Sequence, residues 1–250
     1  MDYKTVLQEK QHHSQRLNPK RFAKISERID RCDIPVEAWI PLLDNAMLQT
    51  WKGIILNKSV TEIGVYPMLI HELQPKTIIE LGAFNGGSAI WLADHLELFG
   101  IKGRVYSMDI DLSLLDEGAK QDSRVHFFQG DSNDLAATFP GQMLWDLPHP
   151  WLLIEDSHVN LVGILEYFHQ NGFQSGDYLI VEDTSQSMWD YWRKHWDDAA
   201  EVEEGARKLK DLRDWLKNHE DEYLVDTYYQ DMYGYNGSKN WNSILKRVDN

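Results

Sequence analysis

The chain of 250 residues has a single cysteine, Cys32, which excludes an internal disulfide framework. It also lacks any Cys/His group with the spacing of zinc ligands. No stretch approaches the roughly 18 apolar residues that a membrane span requires, and the first residues lack the apolar segment of a secretion signal. We therefore expect a soluble protein of the reducing cytoplasm, without a membrane partner.

Positive charge is scarce as well, because 25 Lys and Arg stand against 40 Asp and Glu, for a net charge of −15. Most of such a surface would repel phosphates, so no nucleic-acid partner is expected. Residues 1–31 depart from this balance, with eight Lys and Arg against four acids. This segment is interpreted as an exposed helical arm against an acidic body, with a docking patch for an acidic substrate or carrier as the alternative.

Hydrophobic residues make up 42% of the chain, enough for one α/β domain with an appendage. Short helices with prolines between them are expected up to residue 73, so 1–75 is predicted to be an N-terminal helical extension and 76–250 the main domain. Strand and helix signals then alternate, which predicts a mostly parallel sheet with helices on both faces. A final antiparallel pair at the sheet edge brings the predicted number of strands to seven. The predicted strands cover 77–81, 104–109, 125–129, 151–155 and 177–182, the edge pair 222–230 and 242–248, and the helices 88–99, 112–119, 161–171 and 201–219.

A glycine-rich turn follows the first of these strands, in the pattern E-x-G-x-x-x-G-G-S that begins at Glu80. Gly82, Gly86 and Gly87 are expected to let the backbone bend tightly and approach a ligand closely. The dinucleotide pattern G-x-G-x-x-G is absent, so a cofactor without a pyrophosphate is favoured. An ordinary connection from strand to helix is the alternative.

Acidic residues end or follow every strand of the alternation, and the ends of parallel strands line one rim of the sheet. Asp109 is suited to accept hydrogen bonds from ribose hydroxyls, because it lies about 20 residues beyond the glycine turn. Asp131 could accept a hydrogen bond from an exocyclic amine such as that of adenine. Each acid, taken alone, could instead be a solvated strand end or a helix cap.

The acid pairs Glu155-Asp156 and Glu182-Asp183 follow two hydrophobic strands. Like charges that converge in a partly desolvated cleft are unfavourable, and a divalent cation would resolve the conflict. Oxygen ligands favour Mg²⁺ or Mn²⁺. Without a metal, some of these acids would be protonated or face solvent. His158 lies on the turn after the first pair and is a candidate general base, since imidazole has a pKa of about 6.5; a structural or surface histidine is the alternative.

Aromatic residues crowd the segment after Asp183, at Trp189, Tyr191, Trp192 and Trp196. Their spacing fits packing on one face of a helix, and it also fits a lid that covers a flat or sugar-like substrate. Both interpretations stay open. The other histidines, such as His71, His149 and His169, are interpreted as packing or surface groups.

Together these motifs resemble the class I S-adenosylmethionine (SAM)-dependent methyltransferases and, more narrowly, the cephalosporin hydroxylase/rhamnosyl O-methyltransferase family. The resemblance runs from Trp51 through Asp183 and continues to Val248. It implies a Rossmann-like sheet that binds SAM. The residues implied for SAM are Glu80, Gly82, Asn85, Gly86, Gly87 and Ser88, with Asp109 at the ribose and Asp131 and Ser132 near the adenine.

In the macrolide sugar O-methyltransferases, which are similar, the acid of an Asp-x-x-His pattern binds Mg²⁺ and the histidine acts as base, alongside a Glu-Asp pair. Here the first position of that pattern is Glu155, with Asp156 next to it, so either residue is a candidate ligand beside Glu182 and Asp183. The implied reaction is removal of a hydroxyl proton by His158 and attack of the oxygen on the SAM methyl group.

The sequence thus predicts a metal- and SAM-dependent O-methyltransferase that acts on a hydroxylated small molecule of secondary metabolism, such as a sugar-bearing, polyketide or peptide product. A homo-oligomer is expected. The alternatives are a mononuclear iron (Fe²⁺) enzyme of the same fold that performs hydroxylation or C-methylation, and a non-catalytic partner protein.

Overall fold

The computed structural model describes residues 2–12, 18–195 and 197–249. Eight strands form the main sheet, and two short strands form a hairpin. The strands are β1 (Phe22–Ala23), β2 (Thr50–Trp51), β3 (Ile54–Ile55), β4 (Thr77–Leu81), β5 (Arg104–Asp109), β6 (Val125–Gln129), β7 (Trp151–Glu155), β8 (Tyr178–Val181), β9 (Tyr223–Asp226) and β10 (Ile244–Arg247). The helices are α1 (Tyr3–His12), α2 (Val36–Asp44), α3 (Val60–Leu73), α4 (Gly87–Leu98), α5 (Glu117–Lys120), α6 (Leu135–Thr138), α7 (Gly141–Trp145), α8 (Leu161–Gln170), α9 (Gln186–His195), α10 (Ala199–Asn218) and α11 (Thr227–Gln230).

The spatial order of the main sheet is β1-β9-β10-β8-β7-β4-β5-β6. Strands β4 to β8 pair in parallel, whereas β10 pairs antiparallel with both β8 and β9. The carboxyl ends of the five parallel strands therefore meet at one edge. The predicted fold class and the antiparallel pair at the end of the chain are confirmed.

The predicted count of seven strands is wrong, because β1 from the N-terminal segment pairs antiparallel with β9. Arg21 fixes this pairing, since its guanidinium donates two hydrogen bonds to the buried carboxylate of Asp226, at 2.8 and 2.6 Å. The backbone N–H of Thr227 donates to the carbonyl of Arg21 at 2.8 Å. The N-terminal segment thus contributes a strand to the sheet, which its helical appearance did not predict.

Both faces of the sheet are covered, because successive side chains of a strand point to opposite faces. In β4, Ile79 and Leu81 belong to the core under α8 and α10, and Ile78 belongs to the core under α3 and α4. The helix predicted over 112–119 is instead a 3₁₀ turn, Leu112–Leu114, followed by the single turn of α5. Asp116 divides it, because its side chain accepts a hydrogen bond from the N–H of Gly118 and caps α5, just as Asp111 accepts from the N–H of Ser113 and caps the 3₁₀ turn.

The N-terminal segment also reaches the carboxyl edge of the sheet, where Lys58 Nζ lies 2.9 Å from Asp156 Oδ2. A capping box formed by Ser59 and Glu62 starts α3, and the β2–β3 hairpin contacts α4. None of the helices in the described ranges is both long and apolar enough to cross a membrane.

Candidate active site

The glycine turn between β4 and α4 is packed against protein rather than left open. Gly82 has φ +106°, and a Cβ there would lie 2.6 Å from the carbonyl oxygen of Asp156. A Cβ on Gly87 would overlap the carbonyl of Ile55, and one on Gly86 (φ +87°) would lie 2.7 Å from the side chain of Ala119. The glycines therefore allow close contact between backbone segments, and the approach of a ligand is not needed to explain them.

Three other residues of this motif lie behind the turn. With its amide oriented to satisfy both partners, Asn85 donates to the carbonyl of Ile55 at 2.8 Å and accepts from its N–H at 3.2 Å. Glu80 and Ser88 are buried, and Ser107 Oγ donates to Glu80 at 2.6 Å. Burial raises the pKa of Glu80 to about 7, against the lowering effects of Lys58 and the two serines. These side chains support the turn from within.

A cavity of about 490 Å³ opens in front of the turn, at the carboxyl edge of the sheet. Asp109, half-buried on its wall, accepts a hydrogen bond from the N–H of Phe84 at 2.7 Å. Asp131 is exposed, and its Oδ1 accepts from the backbone and side-chain nitrogens of Asn133 at 2.8 and 2.9 Å. The predicted residues on the cavity wall are Gly82, Asp109, Asp131, Ser132, Asp156, His158 and Asp183.

Glu155, predicted as a metal ligand, is fully buried at the end of β7. Its Oε2 lies 2.8 Å from the ammonium of Lys208 on α10, and its Oε1 accepts hydrogen bonds from Ser157 at 3.0 Å. The carboxylate is thus neutralised inside the protein, away from the cavity wall. Of the two adjacent acids, which the sequence left as alternative ligands, the structure places Asp156 and not Glu155 on the cavity wall.

Glu182 is also fully buried, below the cavity. Lys58 Nζ donates to both of its oxygens, at 2.7 and 2.8 Å, while Tyr66 donates at 2.7 Å and Lys239 at 3.2 Å. To bind an ion, Glu182 would have to give up one of these donors. The structure therefore separates Glu182 from the exposed ligand group in which the sequence placed it.

Asp156, His158 and Asp183 form one group at the cavity wall, with candidate ligand atoms within 4.8 Å of one another. His158 Nε2 lies 3.0 Å from Asp183 Oδ2. Both of these residues adopt a left-handed backbone, with φ +58° and +60°. Such conformations are unfavourable for residues other than glycine and are frequent at functional sites.

Two lysines bind the acids of this group from below. Lys58 Nζ lies 2.9 Å from Asp156 Oδ2, and Lys239 Nζ lies 2.8 Å from Asp183 Oδ1. Burial acts to raise the pKa of both aspartates, but the lysine charges outweigh it and hold each pKa below its ordinary value. Burial also acts to lower the pKa of His158, yet the hydrogen bond from His158 to Asp183 and the nearby acids raise it above 6.5.

The charges of this region fit one added cation. The region contains four carboxylates, on Glu62, Asp156, Glu182 and Asp183, and two ammonium groups, on Lys58 and Lys239. Each carboxylate forms an ion pair with at least one of these lysines. Burial raises the pKa of Glu62 to about 7; the nearby acids Glu182 and Asp183 act in the same direction, and Lys239 and Lys58 oppose it. Carboxylate oxygens with an adjacent imidazole suit Mg²⁺, Mn²⁺ or Fe²⁺.

A second cavity, of about 170 Å³, adjoins the first. Both are lined by His158, Asp183, Lys239, Asn57 and Glu201. The remainder of the smaller cavity is largely apolar, with Leu43, Ala46, Met188, Trp189, Trp192 and Val202. The group at His158 and Asp183 thus lies where two binding spaces meet.

The aromatic segment packs against the fold and lines the smaller cavity. Trp189 is buried, its Nε1 donates to the carbonyl of Asp183 at 2.6 Å, and its ring meets His158 edge-on at 5.7 Å. Trp192 lines the smaller cavity, whereas Tyr191 hydrogen-bonds Asp44 on α2. Trp196 lies outside the described residues. Helix α9 therefore both packs against the fold and lines the smaller cavity.

Sequence reasoning missed the lysines that neutralise the acids. Lys208 had a signal, because it lies on the buried face of α10, where Leu209 and Leu212 pack and a charge needs a partner. Lys58 and Lys239 lie in connecting segments and gave no comparable signal, since their acids are distant in sequence.

Comparison with known proteins adds an independent observation. A family model described as Rhamnosyl O-methyltransferase/CmcI matches residues 45–248. A rhamnosyl O-methyltransferase of Mycobacterium tuberculosis is 32% identical over 139 residues, and one of Mycobacterium leprae is 30% identical over 138 residues. Each alignment covers 54% of this chain, and they cover 57% and 60% of the respective relatives. The chain thus spans somewhat more than half the length of the curated relatives it matches.

Solved structures match over more of the chain. A structure of cmcI with Mg-SAM is 28% identical, superimposes with a TM-score of 0.64 and covers 93% of both chains. A structure of cmcI with SAH gives a TM-score of 0.62 at 28% identity and covers 88% of this chain and 96% of that one.

Proposed function

Because the chain belongs to the Rhamnosyl O-methyltransferase/CmcI family, as its motifs predicted, we propose that it is an enzyme that transfers the methyl group of SAM to a hydroxyl of a small molecule, with the help of a divalent cation. One observation carries the proposal: two adjoining cavities share His158 and Asp183. A transfer reaction requires that two ligands meet at the groups that do the chemistry.

The larger cavity is the proposed site of SAM. Asp109 keeps acceptor capacity beside its bond to Phe84, which supports a role in binding the ribose hydroxyls. Asp131 and Ser132, further along the same wall, would face the adenine. Glu80, Asn85, Gly86, Gly87 and Ser88 are proposed to act indirectly, by holding the turn in shape.

Asp156 and Asp183 are the proposed cation ligands, and Mg²⁺ is the first candidate. Glu182 and Glu155 are assigned supporting roles, since both are fully buried and neither lines the larger cavity, whereas Asp156 and Asp183 do. When bound here, the cation would supply positive charge that lowers the pKa of a nearby hydroxyl.

His158 is the proposed base. Asp183 lies 3.0 Å from Nε2 and orients the ring, which leaves Nδ1 as the nitrogen that accepts the hydroxyl proton. Trp189 holds the backbone of Asp183 and, with the other apolar residues of the smaller cavity, excludes water from the acceptor. The walls of the two cavities would hold the acceptor and SAM in position.

The proposal is tested by calorimetry with SAM, with and without Mg²⁺, and by release of S-adenosylhomocysteine with a panel of rhamnosyl and other hydroxylated acceptors. We expect SAM to bind, and His158→Ala to lower turnover by about 10² to 10⁴ with near-normal SAM affinity. His126→Ala, on β6 outside both cavities, is the control. Full turnover in His158→Ala would exclude His158 as the base. Failure of the wild type to bind SAM would exclude the proposed function.

An iron enzyme is the second candidate, and the imidazole in the ligand group favours it, because imidazole suits Fe²⁺ better than Mg²⁺. Turnover with Fe²⁺ but not with Mg²⁺, together with consumption of oxygen, would select this alternative. The homo-oligomer and the cytoplasmic location stay predictions of the sequence.

A further inference from the structure

A second group of metal-binding side chains lies far from the cavities. His169, His219 and Glu222 each offer a ligand atom, and these atoms lie within 4.8 Å of one another. His169 lies in the last turn of α8, His219 caps the end of α10, and Glu222 precedes β9. We propose that these three residues, the histidine cluster, bind a zinc-like transition-metal ion that clamps the ends of α8 and α10 to the start of β9.

The place of the cluster in the fold separates it from the proposed active site. Glu201, in the first turn of α10, lines both cavities, whereas His219 follows the last residue of that helix. A helix of 20 residues is about 30 Å long. An ion at the cluster therefore could not take part in the chemistry at His158.

The side chains present suitable donor atoms. His219 Nδ1 lies 3.4 Å from Glu222 Oε1. His169 Nδ1 lies 3.1 Å from the hydroxyl of Tyr223, so Nε2 is the nitrogen left for an ion. Two imidazoles and one carboxylate form a ligand set that Zn²⁺ uses readily, with water in the fourth position. In a tetrahedral site the ligand atoms are about 3.4 Å apart, so modest side-chain rotation would close the cluster around an ion.

Surrounding groups hold the rings in place. The indole of Trp215 stacks on the His219 ring, with centroids 4.2 Å apart and planes at 26°. Glu166 Oε2 lies 3.8 Å from His219 Nε2 and accepts a hydrogen bond from Trp215 at 3.2 Å. At 3.8 Å this carboxylate is too far for a hydrogen bond to the ring, so it adds negative charge beside His219 and holds the stacked indole in place.

The local electrostatics favour a cation, with one opposing charge. Two helices end here, and the carbonyl end of a helix carries partial negative charge. Arg247 is the opposing group: its guanidinium lies 3.4 Å from Glu222 Oε2 and donates to the carbonyl of His169. Because Arg247 engages Oε2, the other oxygen of Glu222, which faces His219, stays available to the ion.

The experiment counts zinc bound to the full chain after chelator treatment, addition of Zn²⁺ and desalting. We expect the wild type to hold one zinc more than His169→Ala/His219→Ala. The same difference is expected in an Asp156→Asn/Asp183→Asn background, so the result does not depend on the proposed function. His126→Ala is the matched control, and it should bind as much zinc as the wild type.

Two measurements guard against a variant that fails to fold. Glu222→Gln, a milder change, should weaken zinc binding at least tenfold. Wild-type crystals soaked in Zn²⁺ should give an anomalous scattering peak between the three side chains. Equal zinc content in the wild type and the double variant, or no peak at the cluster in zinc-soaked crystals, would overturn the proposal.

Discussion

The two halves of the carboxyl edge both carry acids, yet they neutralise them in different ways. At the ends of β5 and β6, Asp109 and Asp131 are half-buried or exposed and accept hydrogen bonds from uncharged nitrogens, Asp109 from Phe84 in the turn after β4 and Asp131 from Asn133 in its own loop. At the ends of β7 and β8, Glu155 and Glu182 are fully buried and pair with lysines that come from distant segments. In the first half the acids bond to neutral donors of the loops, and in the second half they pair with charged lysines.

An acidic residue at the end of a strand can therefore have two roles, according to whether it lies near water or is buried. An acid near water keeps acceptor capacity for a neutral polar ligand such as a nucleoside. Buried acids with too few lysines form a region of excess negative charge, which suits a divalent cation. Substitutions that weaken one half should therefore leave a signature different from those in the other half.

The largest effect is expected for Lys58→Met in the second half. Lys58 is buried and binds both Asp156 and Glu182, so its loss removes the ion pair of Asp156 and one of the two lysines that bind Glu182. Removing one member of a buried ion pair typically costs about 3 to 5 kcal/mol. Urea unfolding in the absence of metal measures the change in the free energy of unfolding.

Lys52→Met is the matched control, because Lys52 is largely exposed and pairs with Asp94 at 2.7 Å. Such a pair contributes about 0 to 1 kcal/mol. Adding Glu182→Gln to Lys58→Met should restore part of the lost stability. Equal, small losses in both lysine variants would mean that the buried network is not charged as described.

Glu80→Gln should have the next largest effect, and its sign depends on pH. Burial raises the pKa of Glu80 to about 7 from an ordinary value of 4.5. Between these values the folded protein keeps a proton that the unfolded chain has released, so stability falls as pH rises through this range. The full loss corresponds to about 3 kcal/mol. Relative to the wild type, Glu80→Gln should be unchanged near pH 4 and more stable by about that amount at pH 8.

Urea unfolding at several pH values measures this difference, with Glu97→Gln as the control, since Glu97 is exposed on α4. A stability difference that does not vary with pH would show that Glu80 is ionised in the folded protein. Glu80, behind the glycine turn, would then be charged like Glu155 and Glu182, which pair with lysines.

The sequence was sufficient to predict the acids of the first half, Asp109 and Asp131, and much of the fold. The hydrophobic runs of β4 and β7 located the parallel strands, because a buried parallel strand is apolar along its whole length. The acids at the strand ends were found for the same reason. The burial of Glu155 was not predicted because its partner Lys208 comes from α10, and pairing between distant segments leaves no trace in local periodicity. The strand β1 was missed likewise, since two residues are too few for a pattern.

In the first half, Asp109→Ala should weaken SAM binding by about 10- to 100-fold. Hydrogen bonds to a charged group contribute about 1.5 to 3 kcal/mol, and the substitution also frees the N–H of Phe84 at the cavity wall. Calorimetry with SAM measures the effect, with Asp146→Ala, on an exposed position outside the larger cavity, as the control. Unchanged affinity would remove Asp109 from the binding site.

Asp131→Ala should have the smallest effect, a loss of about 2- to 5-fold in SAM affinity. Its carboxylate is exposed, so a hydrogen bond to adenine would largely replace one to water and contribute about 0.5 to 1 kcal/mol. Mg²⁺ should not change this loss, because Asp131 lies outside the group that contains Asp156 and Asp183. Calorimetry of the variant with and without Mg²⁺ measures both quantities. A loss that depends strongly on the metal would show that the two halves of the edge are coupled. The difference between acids bonded to neutral donors and acids paired with lysines would then not extend to ligand binding.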